Sequence, residues 1–163
     1  MSRNTFLETR IPPPLWAATF AGGMWLLHRE APLAMIVPAG WRWTGIVLAV
    51  LGFALDFWCI LHFRRARTTV NPLAPQRSSA LVTGGPFSLS RNPMYVGMLL
   101  WLTGWATFLG ALSPFLLAPV FVLVLTRLQI IPEERALRQI FGSDYEAYCR
   151  RVPRWTGLVN NEP

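Results

Sequence analysis

The apolar residues of this chain are gathered into long blocks from which charge is nearly excluded, and that pattern constrains its fold more than any other feature. The block from Trp41 to Phe63 is longer than the ~20 residues a helix needs to cross the hydrocarbon layer of a bilayer. Met94 to Leu112 and Pro114 to Ile131 come close to that length. Apolar residues make up 53% of the 163 positions and charged ones only 14%, which lies outside the composition of an ordinary soluble domain. The expected fold is an all-α integral membrane protein, a single domain over residues 1–163, with about four transmembrane helices. Spans are expected at about 13–28, 41–63, 94–112 and 114–131. The first is short: Leu15 to Leu27 is interrupted by His28, Arg29 and Glu30, and Ala31 to Ala39 follow as an interfacial segment with Pro32 and Pro38 as breakers.

Charge placement gives the orientation. The net charge is +7 and all of the basic residues are Arg. A basic chain of this kind suits nucleic acid in principle, but here the arginines flank apolar blocks, as the positive-inside rule expects. No nucleic-acid partner is therefore expected; the membrane lipids are. The connection 64–93 carries Arg64, Arg65, Arg67, Arg77 and Arg91 and no acid, which assigns it to the cytoplasm. An even number of spans then puts both termini there too. Ala111-Leu112-Ser113-Pro114 reads as a tight turn, so helices 3 and 4 form a helical hairpin with its tip on the far side.

The tail 132–163 is polar. Pro132 suits the first turn of a new helix, and Glu133 and Glu134 suit its positive end. Glu134 and Arg138 stand at i,i+4. Gly142 ends that helix, Ser143 with Glu146 has the capping-box spacing for a further one, and Pro153 stops it. Cys59 and Cys149 have neither metal-ligand nor disulfide-framework spacing and read as unpaired thiols. No cleavable signal peptide is expected, since little basic lead-in and no small-residue cleavage site precede Trp41.

Three polar features can carry chemistry, and each has a plain structural reading beside it. In the run 81–97, Gly84 and Gly85 admit a close backbone approach, while Asn92 and Pro93 suit the cap and first position of a helix. With Arg91 beside it, that helix start either attracts an anion such as a carboxylate or is simply a well-made helix start. Glu133 and Glu134 either hold a cation or match the helix dipole. Asp56 and Arg127 lie within apolar blocks, where charge is costly. Arg127 is placed to snorkel or to act; Asp56 either has a structural partner, such as an Arg or a Trp N–H, or a functional role. His28 and His62 are isolated and interfacial. No nucleophile elbow, phosphate-binding loop, or His- or Cys-rich cluster occurs.

Residues 68–155 resemble the integral membrane methyltransferases that include isoprenylcysteine carboxyl methyltransferase and the phospholipid N-methyltransferases. The resemblance is carried by Leu81-Val82-Thr83-Gly84-Gly85-Pro86-Phe87 with Arg91-Asn92-Pro93-Met94-Tyr95-Val96-Gly97, and then by Glu133-Glu134, Leu137, Phe141-Gly142, Tyr145, Tyr148, Val152-Pro153 and Arg154-Trp155. It implies S-adenosylmethionine as cofactor, in a cytoplasmic pocket formed by the 64–93 loop and the C-terminal helices. Carried onto this chain, Val82, Thr83, Gly85, Pro86, Arg91, Asn92, Pro93, Tyr95, Gly97, Glu133 and Glu134 would line that pocket. The helix start with Arg91 would take the carboxylate, Glu133 or Glu134 the ammonium, and Tyr95 would lie against the sulfonium. Glu134 and Arg127 are the catalytic candidates, with Arg127 orienting the acceptor from the membrane boundary. The resemblance also implies a lipophilic small-molecule or lipid substrate entering from the bilayer, with carboxylate, amine and thiol all open as the methylated group. Many members have Arg-His-Pro where this chain has Arg91-Asn92-Pro93, and Asn can bind but not titrate near neutrality. Two other readings stand: a nicotinamide-dependent membrane reductase of the sterol reductase type, and a non-catalytic membrane binding protein.

Overall fold

The computed structural model describes residues 11–65 and 81–156. Their regular structure is helical, with no strand among them; a single isolated bridge joins Met35 to Ala111. Helix α1 (Pro13–Glu30) has Pro13 at its first position, where the missing N–H costs nothing. The segment after it is not helical, as its prolines predict. It docks through backbone N–H groups of Ile36 and Val37 on the Gly110 carbonyl, at 2.9 and 3.1 Å, and through the Leu112 N–H on the Ala34 carbonyl at 2.8 Å.

Helix α2 (Trp43–Arg65) starts two residues later than expected, because Ala39–Trp41 forms a separate 3-10 turn. Among the described residues two helices are long and apolar enough to cross a membrane, one of them over Ala39–Arg65, with only 11% of its apolar window buried. A soluble protein would cover such a helix; bare apolar surface on this scale calls for lipid. Most of its protein contact is with α3 (Pro93–Leu109), along a seam of glycines. A Cβ at Gly45 would collide with the backbone of Gly104 and Phe108, and one at Gly52 with the backbone of Gly97 and Trp101. Small residues let two helix backbones approach this closely, which suits a medium in which apolar burial alone gives helices little reason to associate.

Helix α3 stops at Leu109, earlier than the expected end at 112. Gly110 adopts φ 85°, the left-handed C′ position that favours glycine. The chain resumes helix at once as α4 (Leu112–Phe115) and α5 (Leu117–Leu125), so the expected turn residues Leu112 to Pro114 belong to a helix instead. A π-turn over Thr126–Ile130 then leads into α6 (Ile131–Arg151).

Pro132 does fall in the first turn of α6, as expected, but that helix continues from the one before it without a break. Its ring would crowd the carbonyl one turn back and it supplies no N–H; the wider π-turn just ahead of it absorbs that misfit and lets the rod continue. From Leu112 to Arg151 the helical stretch counts 40 residues, about twice the ~20 that cross a hydrocarbon layer. Its first half is apolar and its second half polar. Gly142 (φ 48°, ψ −121°) kinks α6 where the sequence expected a break. The core between α1, α3 and α5 is built on Met24, Leu102, Phe121, Leu125 and Ile130.

Candidate functional site

The site forms where the segment entering α3 meets the last residues of the described chain. Gly85 (φ 59°) opens a 3-10 turn over Gly85–Ser88 and lies against the His62 ring; Phe87 packs edge-on to Phe63 at 5.0 Å. The end of α2 thus props the turn from below. From the other side the Tyr148 hydroxyl donates to the Phe87 carbonyl at 2.6 Å. Burial pushes the Tyr148 phenol above its ordinary range, so it stays a neutral donor.

Residues 90–92 are laced to residues 153–154. The Arg91 N–H donates to the Pro153 carbonyl at 2.9 Å. The Ser90 hydroxyl and the Asn92 side-chain amide both donate to the Arg154 carbonyl, at 3.2 and 2.9 Å. Asn92 does occupy the N-cap position of α3, with Pro93 following. Its side chain does not cap the helix, however, because Arg154 claims it.

Beneath this lacing lies a buried charge network. Arg91 and Glu134 pair at 3.1 Å with side chains 4% and 3% exposed. Glu134 also accepts from Arg154 at both oxygens, at 3.0 and 2.8 Å, and Arg138 lies 3.8 Å away in the expected i,i+4 relation. Three guanidinium groups thus surround one carboxylate. The Arg91 Nη1 also reaches the Cys149 sulfur at 2.7 Å, while its buried Nε has no hydrogen-bond partner. Beside the network, the Tyr95 hydroxyl donates to Glu133 at 2.7 Å. Adjacent glutamates are therefore set to different tasks: Glu134 is held by arginines and Glu133 by a phenol.

Of the residues singled out from the sequence, Arg91, Asn92, Tyr95, Glu133 and Glu134 come together here, with Pro93 in the helix turn between them and the buried Pro86 under the preceding loop. Val82 and Thr83, half-buried and in no helix or strand, lead into that loop. Two residues are elsewhere. Gly97 packs in the glycine seam, against Gly52 and Asp56. Arg127 is exposed in the π-turn and pairs with no acid among the described residues. The expected capping pair does not form either, since Glu146 bonds Arg138 at 3.0 Å. The loop stretch with Arg67 and Arg77 lies outside the described residues.

The sequence left unassigned the residues that tie the site shut. Arg154 supplies both a carbonyl to two donors and a bidentate grip on Glu134. Gln129 anchors the start of α1 through the Ile11 carbonyl at 2.6 Å, and the Trp155 N–H reaches Thr126 at 3.0 Å. The available signal was the Val152-Pro153-Arg154-Trp155 run, informative only as part of the family pattern.

Comparison with known proteins bears on the same region. The phospholipid methyltransferase family model matches residues 41–144. Protein-S-isoprenylcysteine O-methyltransferase B of Arabidopsis thaliana is 33% identical over 119 residues, covering 71% of this chain and 59% of that protein. The protein-S-isoprenylcysteine O-methyltransferase of Schizosaccharomyces pombe is 30% identical over 115 residues, covering 65% of this chain and 49% of that one. The cobalt-zinc-cadmium resistance protein CzcN of Cupriavidus metallidurans is 31% identical over 147 residues, covering 80% and 61%. The chain thus spans about half to three-fifths of the length of these relatives. No solved structure matches it.

Proposed function

Because the chain belongs to the phospholipid methyltransferase family, which its matches to isoprenylcysteine O-methyltransferases share, we propose that it transfers a methyl group from S-adenosylmethionine to a lipophilic, membrane-borne acceptor. The observation that carries this reading is the buried joint of Arg91, Glu134 and Arg154 beside the Tyr95–Glu133 pair. The residues fit the amino-acid end of the cofactor. The buried Arg91 Nε, which has no hydrogen-bond partner among the described residues, suits an added carboxylate. Glu133 is held by a phenol and not by an arginine, and suits an ammonium. The ammonium role that the sequence left between two glutamates thus falls to Glu133, while Glu134 organises the arginines.

When bound, the cofactor supplies a methyl group already activated on sulfonium, so the protein needs no nucleophile of its own. Its residues bind and orient. The Gly85–Ser88 turn and residues 90–92, clamped by Tyr148 and Arg154, form one wall, with Val82 and Thr83 leading into it. The face of α6 that carries Glu133 forms another. Positioning of two reactants and exclusion of water provide the acceleration. Arg127, exposed just before this face, is placed to orient an acceptor arriving from the bilayer.

The topology that serves this reading has four spans: α1, α2, α3 and the α4–α5 rod. The chain reverses at Gly110 to make a hairpin of the last two, in a single domain. The five arginines of residues 64–93 put the site and both termini in the cytoplasm. The isoprenylcysteine named in the relatives does not by itself fix the acceptor, because a shared fold hosts different site chemistries.

Isothermal titration of the protein in detergent with S-adenosylmethionine and its demethylated product tests the reading, with the reduced nicotinamide cofactor as control. Saturable binding of the first two alone is expected. Protein that is folded and binds neither would refute it.

A further inference from the structure

Arg42 stands at the opposite end of α2 from Arg64 and Arg65, between the Ala39–Trp41 turn and the first residue of the helix. That end is remote from the methyl-transfer site, which meets α2 at His62 and Phe63. The Arg42 side chain is laid across the reversal between α3 and α4: a Cβ at Gly110 would stand 2.8 Å from its Nε and 3.2 Å from its Cζ. The segment that follows α1 arrives at the same residue, since Ile36 and Val37 donate to the Gly110 carbonyl.

Other arginines near this depth are matched. Arg91 is paired with Glu134, and Arg29, at the end of α1, with Glu30 at 3.2 Å. Arg42 makes no ion pair and no side-chain hydrogen bond among the described residues. The residue is only half-buried, and of its three nitrogens Nε alone is closed in. Nη1 and Nη2 therefore open outward from a side chain whose root is fixed on glycine. Around them the surface is apolar: Trp41 and Trp43 are 64% and 58% exposed, and Leu33, Met35, Ile36 and Leu116 are exposed too. Tryptophan beside arginine at the end of an apolar span is the arrangement of a membrane–water interface, the level at which lipid phosphates lie.

We propose that Arg42 binds the phosphate of an anionic phospholipid in the leaflet remote from the methyl-transfer site. Its two outward nitrogens offer parallel N–H donors that match phosphate oxygens. The acyl chains run down the bare face of α2 along Ile46, Val47 and Val50, all exposed. The sequence explains why the lipid is anionic. No acid occurs from Ala31 to Leu55 or from Pro93 to Ile131, and Glu30 is taken by Arg29. The cation of a zwitterionic head group would thus meet no counter-charge, while an acidic one leaves Arg42 neutralised. A lipid held there fastens the start of α2 to the α3–α4 reversal, where the guanidinium rests on Gly110 without a bond of its own.

Native mass spectrometry of the detergent-solubilised protein, titrated with phosphatidylglycerol or phosphatidylcholine, counts the lipids bound and tests the proposal. Wild type should bind a first phosphatidylglycerol about tenfold or more tightly than phosphatidylcholine. Arg42→Gln should weaken that first lipid about tenfold, whereas Arg65→Gln, which removes an exposed arginine from the other end of α2, should leave it unchanged. Phosphatidylglycerol should also raise the melting temperature of wild type but not of Arg42→Gln. In phosphatidylcholine the two should melt alike, since Arg42 has no partner within the chain to lose. Unaltered phosphatidylglycerol binding in Arg42→Gln would overturn the proposal. An equal loss in Arg65→Gln would do so by reducing the effect to net charge, and ready displacement of the lipid by inorganic phosphate by making this a site for a free anion. A melting temperature well below wild type for Arg42→Gln in phosphatidylcholine would make Arg42 a structural residue, and would overturn it too.

Discussion

Replacing Glu134 by Gln should unsettle the protein more than it alters any ligand contact. The carboxylate receives two hydrogen bonds from Arg154, at 3.0 and 2.8 Å, and faces Arg91 at 3.1 Å. Gln keeps one acceptor oxygen and turns an NH2 toward a guanidinium, so at least one charge-assisted bond becomes a donor–donor clash and the negative charge is lost. Arg91, 4% exposed, has no water with which to replace it. Leaving a buried charge without its partner costs about 3–5 kcal/mol. At the lower end, for a chain of this size, that is a fall of about 6–12 °C in melting temperature. The assay is thermal unfolding in detergent, followed by circular dichroism, of Glu134→Gln, Arg154→Gln and the double variant. The two substitutions should be strongly non-additive, the second costing little once the first is made. A fall of under about 2 °C in Glu134→Gln would mean that the network is solvated, and would remove the argument that it closes the site.

Three further substitutions separate the neighbouring roles. Glu133→Gln should change stability by about 1 kcal/mol at most, since Gln still accepts from Tyr95, yet weaken S-adenosylmethionine at least tenfold by titration calorimetry; wild-type affinity would take Glu133 out of the pocket. Arg127→Ala, on an exposed residue, should leave melting within about 0.5 kcal/mol of wild type and lower turnover with an acceptor more than cofactor affinity; the opposite split would move Arg127 into the cofactor shell. Gly142→Ala forces a side chain into φ 48°, ψ −121°, and should cost about 1–3 kcal/mol while exposing Tyr145 and Tyr148 to hydrogen exchange at the end of α6. Unchanged protection there would show that the kink is not needed to dock that segment.

Length, hydropathy and proline placement made α1, α2 and α3 legible to within a few residues, because each depends on local chemistry. Gly110 was not identified as the stop of α3: a turn was read from Ala111-Leu112-Ser113-Pro114, but the left-handed conformation of one glycine decided it. Pro132 was read as a helix start and does stand in the first turn of α6, but the π-turn that joins this helix to the one before it was not foreseen. The polar cluster was legible as residue types in two segments. How it is wired was not. Asn92 looked like a cap and became a tie to Arg154; Glu134, read for its charge at a helix start, is also the hub of three arginines. Such assignments depend on contacts between residues 91, 134 and 154 that no local pattern encodes. Asp56 was flagged by its cost in lipid alone, and only its fit against Gly97 gave it a place.

The glycine seam also limits how this chain can change in length. Gly45 and Gly52 on one helix meet Gly104 and Gly97 on the other. Both pairs are seven residues apart, close to two full turns, so both stay on the contact face. Deleting or inserting one residue between the glycines of a single helix would rotate one of them about 100° away and set a side chain against backbone. Such length changes are tolerated only in steps of about seven and in both helices together. The antiparallel pair thereby works as a vernier, fixing how far Arg91 and its loop stand above Asp56.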